Sequence, residues 1–330
     1  IQNLDGNTVS LYTNNTIQNF QHAGNNVASV QDAAVIGVVE RPLTGNNGAE
    51  YTGNIISNLS NTNSSGGAVK VYGMIYAPTA TVNLTYPKFE RNWIYNLSTQ
   101  SNGTTTVVGG MLISGGININ LYNNMISLGS TQTQNAILNG IEQTSGGVTA
   151  YFNSVRMTGT ASGGASDAIA YNYNVASGSA FTLRNNLLYN DRTGGTGQKF
   201  ALRMSMGAIP AYDATRGSHN LLYSAGANFA QFGAINYNTL AGWSGACGGG
   251  DPATTSKTAQ VAFTTATDLH TSDLDVRNCG IAITGVTNDF DNTLRPACID
   301  IGCDETVVVP GTTYTWVGAI DDRWCEPCNW

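Results

Sequence analysis

The sequence predicts an all-β chain wound into a parallel solenoid, with a small cysteine-bearing cap at its C-terminal end. Three observations lead there. An Asn-centred phrase recurs along the first two thirds of the 330 residues, a second short apolar stretch lies between successive phrases, and six cysteines all fall after residue 246. A unit that repeats in this way cannot bury its own apolar face, so the units must stack on one another.

The phrase is an alternating segment, then Asn, then a few residues rich in Ile, Leu or Met. It occurs at residues 9–20 (VSLYTNNTIQNF), 50–59 (EYTGNIISNL), 88–97 (KFERNWIYNL), 119–128 (INLYNNMISL), 149–157 (TAYFNSVRM), 181–190 (FTLRNNLLYN) and 216–224 (RGSHNLLYS). The marker residues are Asn15, Asn54, Asn92, Asn124, Asn153, Asn186 and Asn220, spaced by 39, 38, 32, 29, 33 and 34 positions. Such distances suit one coil with insertions rather than a fixed α-solenoid period. Asn tolerates the left-handed backbone of a tight turn, and its amide both donates and accepts. Equivalent Asn side chains are therefore expected to bond from coil to coil in a structural ladder, with the following aliphatic residues stacked inward.

The second stretch appears as AVIGVV (34–39), AVKVYGMIY (68–76), VVGGMLI (107–113), AILNGIE (136–142), AIAYNY (168–173) and ALRMSM (201–206). Each is short, often alternating, and bounded by Gly, Ser, Thr or Asn, which is the pattern of strands. No segment carries a sustained helical stripe with caps. Each unit thus offers two or three strands, and residues 1–240 are read as coils, 241–311 as a cysteine-containing cap with terminal coils, and 312–330 as the start of a further β module or linker.

Composition narrows the function classes. Charged residues make up 11 % of the chain and the net charge is −7, with no run of Lys or Arg. Nucleic acid is therefore not an expected partner, since phosphate binding needs clustered cations. The longest apolar run, residues 33–39, is too short to cross a bilayer. The chain opens within a repeat and without an initiator Met, so it reads as a mature piece of a longer precursor. Cys247, Cys279, Cys298, Cys303, Cys325 and Cys328 are even in number and confined to one end, which suits disulfides in an oxidising compartment. A zinc site on Cys298-x4-Cys303 and Cys325-x2-Cys328 is the alternative.

The x-N-N-x-I-x-N-L phrase alternating with G-I/M-x-I strands resembles the right-handed parallel β-helix repeats of secreted proteins, a superfamily that includes pectate lyases. The resemblance covers roughly residues 1–237. The segment TNDFDNTLRPACIDIGCDE (287–305) resembles the D-x-D-G-x-x-R-P…D-I-G-A-x-E ending that follows such helices in large bacterial surface proteins. Asp289, Asp291, Arg295, Pro296, Asp300, Ile301, Gly302, Asp304 and Glu305 carry it, while Asn292 stands for the usual Gly and Cys303 for the usual Ala. Residues 313–330 are similar to the opening of a following module in Bacteroidota proteins exported by the type 9 secretion system, through Trp316, Gly318, Trp324, Pro327, Asn329 and Trp330. The resemblance implies a secreted, cell-surface location. Six cysteines allow about fifteen pairings; the expectation is of short local bridges Cys298–Cys303 and Cys325–Cys328, with Cys247 and Cys279 tying the last coil to the cap.

A β-helix is a scaffold, and its chemistry has to come from a site. Acids in the coils are spread singly, and glycoside hydrolysis needs two carboxyls about 5–10 Å apart. Glu142 and Asp167 are the nearest candidates for such a pair. The GSHN segment at 217–220 differs from the Gly-x-His-Gly element of pectin hydrolases at its fourth residue, so His219 is read as a repeat position. Thr104–Thr106 and Thr158–Thr160 do not recur coil after coil, as an ice-binding ladder would require. Asn288, Asp289, Asp291 and Asn292 form an oxygen-rich turn, giving a calcium candidate on Asp289 and Asp291; the competing expectation is an Asx-turn tied to Arg295. No other cofactor is expected. Tyr12, Tyr51, Tyr95, Tyr122, Tyr151, Tyr171, Tyr173 and Tyr189 recur near the strands, as a glycan-binding surface or as internal stacks. The function expected is a non-enzymatic adhesive or structural stalk of an extracellular bacterial surface protein that meets glycans or cell-surface components. A polysaccharide lyase or glycoside hydrolase is the alternative.

Overall fold

A computed structural model describes residues 2–3, 11–24, 33–42, 49–64, 66–78, 87–175, 181–205 and 212–306. Three long sheets run along the molecule, each built from one strand per coil. The first contains Val35–Glu40, Lys70–Tyr76, Val107–Ser114, Ile137–Ser145, Ala168–Tyr173, Lys199–Met204 and Ala230–Phe232, paired in that order and parallel. The second runs from Leu11–Thr13 through Lys88–Glu90 and Val148–Tyr151 to Gly217–Ser218. The third runs from Thr16–Gln18 through Trp93–Tyr95 and Ser154–Met157 to Leu221–Ser224. Each strand pairs with its equivalents one coil away, so the chain is a parallel β-solenoid. The Asn phrase supplies the second and third sheets, and the intervening apolar stretch supplies the first.

Side-chain size fixes how the sheets face one another. The third sheet sends inward an aliphatic row of Ile17, Ile56, Ile94, Ile126, Val155, Leu188 and Leu222. Opposite it the first sheet carries Gly37, Gly73, Gly110 and Gly140. A Cβ on Gly73 would lie 2.6 Å from Ile94 Cγ2, and one on Gly140 2.3 Å from Val155 Cγ1. Small residues on one wall therefore accept branched residues from the other, which is how a narrow coil reaches close packing. In the second sheet Tyr12, Tyr51 and Phe89 stack face to face at 4.7 and 5.2 Å.

The turn between the second and third sheets is two residues long, and its first residue is left-handed. Asn14, Gly53, Arg91, Asn123, Phe152, Asn185 and His219 occupy that slot, with φ between 53° and 67°. The marker Asn follows it and is not itself left-handed, contrary to the sequence reading. Gly and Asn suit the slot, whereas Phe152 and Arg91 sit there against the side-chain clash that disfavours left-handed backbone.

The solenoid ends in several layers. Ile235–Tyr237 pairs antiparallel to Ala230–Phe232, blocking the edge of the first sheet. The helix Leu240–Ala246 follows, capped by Thr239, and buries Trp243. From Lys257, which bridges to Leu221, the chain then runs back along the outside of the coils. Thr265, Ala266 and Thr267 present carbonyls to Arg156, Ser127 and Trp93, and Ile281 and Asn288 do so to Asn185 and Asn123. Residues 257–306 thus form a lateral strap, where the sequence suggested only an end cap. Its footprint explains why outward positions of the third sheet are apolar: Met125, Leu187 and Leu221 are buried beneath it, while Thr16 and Gln18, away from it, are polar and exposed.

Candidate functional site

The marker asparagines form one continuous ladder. Each Nδ2 donates to the Oδ1 of the next coil: Asn15 to Asn54, Asn54 to Asn92, Asn92 to Asn124, Asn124 to Asn153 and Asn153 to Asn186 at 2.9 Å, and Asn186 to Asn220 at 3.1 Å. The same Oδ1 accepts the backbone N–H of the preceding marker, at 2.8 to 3.2 Å. The second Nδ2 hydrogen reaches a carbonyl of the coil before, for example Phe89 O from Asn124 at 2.8 Å. Interior members therefore use two donors and two acceptor positions with no solvent.

Because every amide points the same way, the ladder ends on an unpaired donor, Asn220 Nδ2. Asp251 meets it at 2.7 Å. The same Asp251 oxygen accepts Ser256 Oγ at 3.0 Å, and its other oxygen accepts the Tyr212 hydroxyl at 2.7 Å and Trp243 Nε1 at 3.2 Å. Four donors converge on one buried carboxyl, whose pKa is nevertheless raised because burial outweighs those bonds. Sequence reading missed Asp251, which follows a Gly run and lies outside any repeat.

Glu142 and Asp167, the acid–base candidates, come to the outer side of the first sheet but are both engaged. Asp167 pairs with Arg203 at 2.6 Å and accepts the Gln198 N–H at 2.8 Å. Glu142 accepts the hydroxyl of Tyr72 at 3.1 Å, across two coils. The Tyr72 ring lies over Gly109, where a Cβ would come within 2.2 Å of it. Burial raises the Glu142 pKa against the opposing influence of Asn139, Tyr72, Arg203 and Lys70. Arg203 also reaches Asn172, which in turn bonds Asn139.

The C-terminal motif is a docking device. Arg295 is buried and pairs with Glu305. Its other guanidinium nitrogen donates to Asn123 Oδ1 at 2.7 Å and to the Gly302 and Cys303 carbonyls at 3.3 and 3.2 Å. The guanidinium stacks 3.8 Å over Phe152, the residue held in the left-handed slot. Glu305 accepts the Asp300 N–H, and Asp300 accepts those of Asn278 and Thr306 at 2.6 and 2.7 Å. Gly302 bonds Asn185 O at 2.8 Å with φ +105°, and a Cβ there would sit 2.8 Å from Ser154 Oγ. Arg295 thus pairs with Glu305, whereas the sequence reading tied it to the Asp289 turn.

Asp289 Oδ1 accepts the Thr293 N–H at 2.7 Å, four residues on rather than the two of an Asx-turn, and Asn292 Oδ1 accepts from Arg91 and Asn288. Those oxygens of the calcium candidate are therefore already used within the protein. Asp291 is exposed and faces His270 instead, as does Asp304. Asp304 is pushed up to about 7, by burial first and by Asp289 and Asp291 against the opposing charge of His270. His270 is raised although burial lowers it, because Asp268, Asp304 and Asp291 surround it.

Cys303 is a free, buried thiol beside Met125 and Leu269, so the expected Cys298–Cys303 bridge is not formed. Burial holds its pKa far above the usual thiol value. Cys247 is also a free thiol, packed at the end of the core and pushed up to about 12 by burial and then by Asp251. Hydrogen bonding and ion pairing, rather than sulfur at these two positions, hold the strap. Cys325, Cys328 and the Trp316–Trp330 resemblance lie outside the described residues.

Of the tyrosines singled out, Tyr51, Tyr171, Tyr173 and Tyr189 are buried, while Tyr12, Tyr95, Tyr122 and Tyr151 are partly exposed. Tyr122 and Tyr151 stack at 5.4 Å on the outer face of the second sheet. Among the described residues no helix is long and apolar enough to cross a membrane. No protein-family model matches the chain, and no curated protein or solved structure matches it.

Proposed function

We propose that this chain is a non-enzymatic structural module, a right-handed parallel β-helix that serves as an extracellular stalk or adhesive segment of a large bacterial surface protein. The ending motif and the Trp-rich segment after it support a secreted protein of the Bacteroidota type 9 class. The observation that carries the non-enzymatic reading is the state of Asp167: one oxygen is taken by Arg203 and the other by a backbone N–H. A hydrolase needs its second carboxyl open to a water or a sugar carbon. The coils spend their polar groups on one another, which suits a stiff rod whose work is done by shape. Tyr122 and Tyr151, bordered by Asn120, Thr149 and Arg184 and packed in part against the strap cluster of Val286 and Ile299, leave a part-exposed aromatic surface that a glycan would meet.

A polysaccharide lyase or hydrolase is the second reading, favoured by one observation: Glu142 sits on the outer face of the first sheet with a raised pKa, as a general acid would. Glycan-array binding and reducing-sugar release on the same preparation separate the two. Binding without turnover, weakened by Tyr151→Ala, is expected. Sugar release abolished by Glu142→Gln or Asp167→Asn would overturn the structural reading.

A further inference from the structure

Two remote segments of the strap converge on the imidazole of His270, whose own segment adds Asp268. Its Nδ1 is hydrogen-bonded to Asp268, and its ring meets Phe290 edge to face at 5.8 Å. Its Nε2 is shut off from solvent and makes no hydrogen bond. That atom faces Asp291 Oδ2 at 3.4 Å and Asp304 Oδ1 at 3.7 Å. A protonated imidazole neutralising these carboxylates would close on one of them to about 2.7–2.9 Å. Separations of 3.4 and 3.7 Å, longer than such a bond, match donors placed around a shared ion. With metal–nitrogen and metal–oxygen distances of about 2.0–2.2 Å, two ligands at a tetrahedral angle lie about 3.4 Å apart. The three ligand atoms all fall within 4.8 Å of one another.

We propose that His270 Nε2, Asp291 and Asp304 bind one divalent transition-metal ion of the zinc class. The imidazole nitrogen selects a borderline ion over calcium, which takes oxygen ligands. Asp268 holds the ring by Nδ1 and so presents the Nε2 lone pair, the carboxylate–histidine–metal arrangement of many such sites. Asp291 is exposed, which leaves one side of the ion to water. It also borders a cleft of about 360 Å³ between strap and coils, lined by Asn54, Arg91, Trp93 and Phe290. The ion would fasten residues 268–270, 291 and 304 to one another, and with them the far end of the strap.

The test uses the full chain, stripped with a chelator, its accessible thiols alkylated, and titrated with Zn²⁺ and Co²⁺. One equivalent of zinc is expected by calorimetry, together with a cobalt visible spectrum that lacks thiolate charge transfer. Asp291→Asn, at an exposed position that leaves folding intact, should weaken binding at least tenfold, and His270→Gln should abolish it. Proteolytic release of the strap should slow when zinc is added to the native chain and stay unchanged in the His270→Gln variant. Absence of zinc binding, a thiolate cobalt spectrum, tighter binding of Ca²⁺, or full affinity in Asp291→Asn would each overturn the proposal.

Discussion

Truncating one interior rung of the ladder is expected to cost far more than truncating its first rung. Asn124 is fully buried and makes four side-chain bonds: it accepts from Asn92 N at 3.1 Å and Asn92 Nδ2 at 2.9 Å, and it donates to Asn153 Oδ1 at 2.9 Å and Phe89 O at 2.8 Å. Asn124→Ala leaves two Asn92 donors without an acceptor in a site closed to water. Each such orphan costs about 1–3 kcal/mol, and the small cavity adds to it. The expected loss is about 3–5 kcal/mol. Asn15, by contrast, is half-buried and among the described residues donates its side chain only to Asn54 Oδ1, which still accepts the Asn15 backbone N–H. Asn15→Ala should therefore cost about 1 kcal/mol or less. Urea unfolding followed by far-UV circular dichroism, with the denaturant slope compared between variants, reads the difference. Equal losses, or a loss under about 1 kcal/mol at Asn124, would refute the claim that the amides act as a continuous buried chain.

Three further outcomes follow from the geometry. Arg295→Met removes the partner of buried Glu305 and the contacts to Asn123, Gly302 and Cys303, so about 3–5 kcal/mol of strap docking should be lost; limited proteolysis should then cut within 257–306 while the coils persist. His219 is part-buried with an unpartnered Nδ1 and a pKa lowered from 6.5 to about 4 by burial and then by Arg184. The native ring stays neutral where the unfolded one takes a proton, so stability should fall as pH drops from about 6.5 to about 4. The full shift corresponds to about 3 kcal/mol, reduced to about 1–2 kcal/mol by solvent at a part-exposed ring. His219→Asn should remove that slope relative to the native chain, because Asn already fills the same left-handed slot at 123 and 185; an unchanged pH dependence would count against it. Cys303 and Cys247, buried and protonated, should resist iodoacetamide at neutral pH until the protein unfolds, as peptide mapping would show.

The repeat was legible because a coil that stacks on itself must place the same kind of residue at the same point each turn. Asn124 and Asn153 could be aligned by eye, as could the Ile row and the second apolar stretch. The left-handed slot was misplaced by one residue, since the positions before the markers hold Asn, Gly, Arg, Phe and His and share no side-chain type. Their common property is a backbone angle, which composition does not display. Glu142 and Asp167 were recognised as the acids worth testing. Their engagement with Tyr72 and Arg203 depends on which coils are neighbours and which side chains point outward.

The sequence by itself determined the solenoid and its Asn ladder, because each follows from a local pattern repeated along the chain. Only the tertiary structure decided what residues 287–305 do. Arg295, Glu305, Gly302 and Asn123 meet because the strap folds back along the coils, and contacts between residues some 170 positions apart leave no periodic trace. The strap also brings His270 to Asp291 and Asp304, and the segment between helix and strap sets Asp251 at the end of the ladder, where the last amide donor needs an anion. Local periodicity encodes which faces must be buried; the particular partner that covers each face is a property of the folded whole.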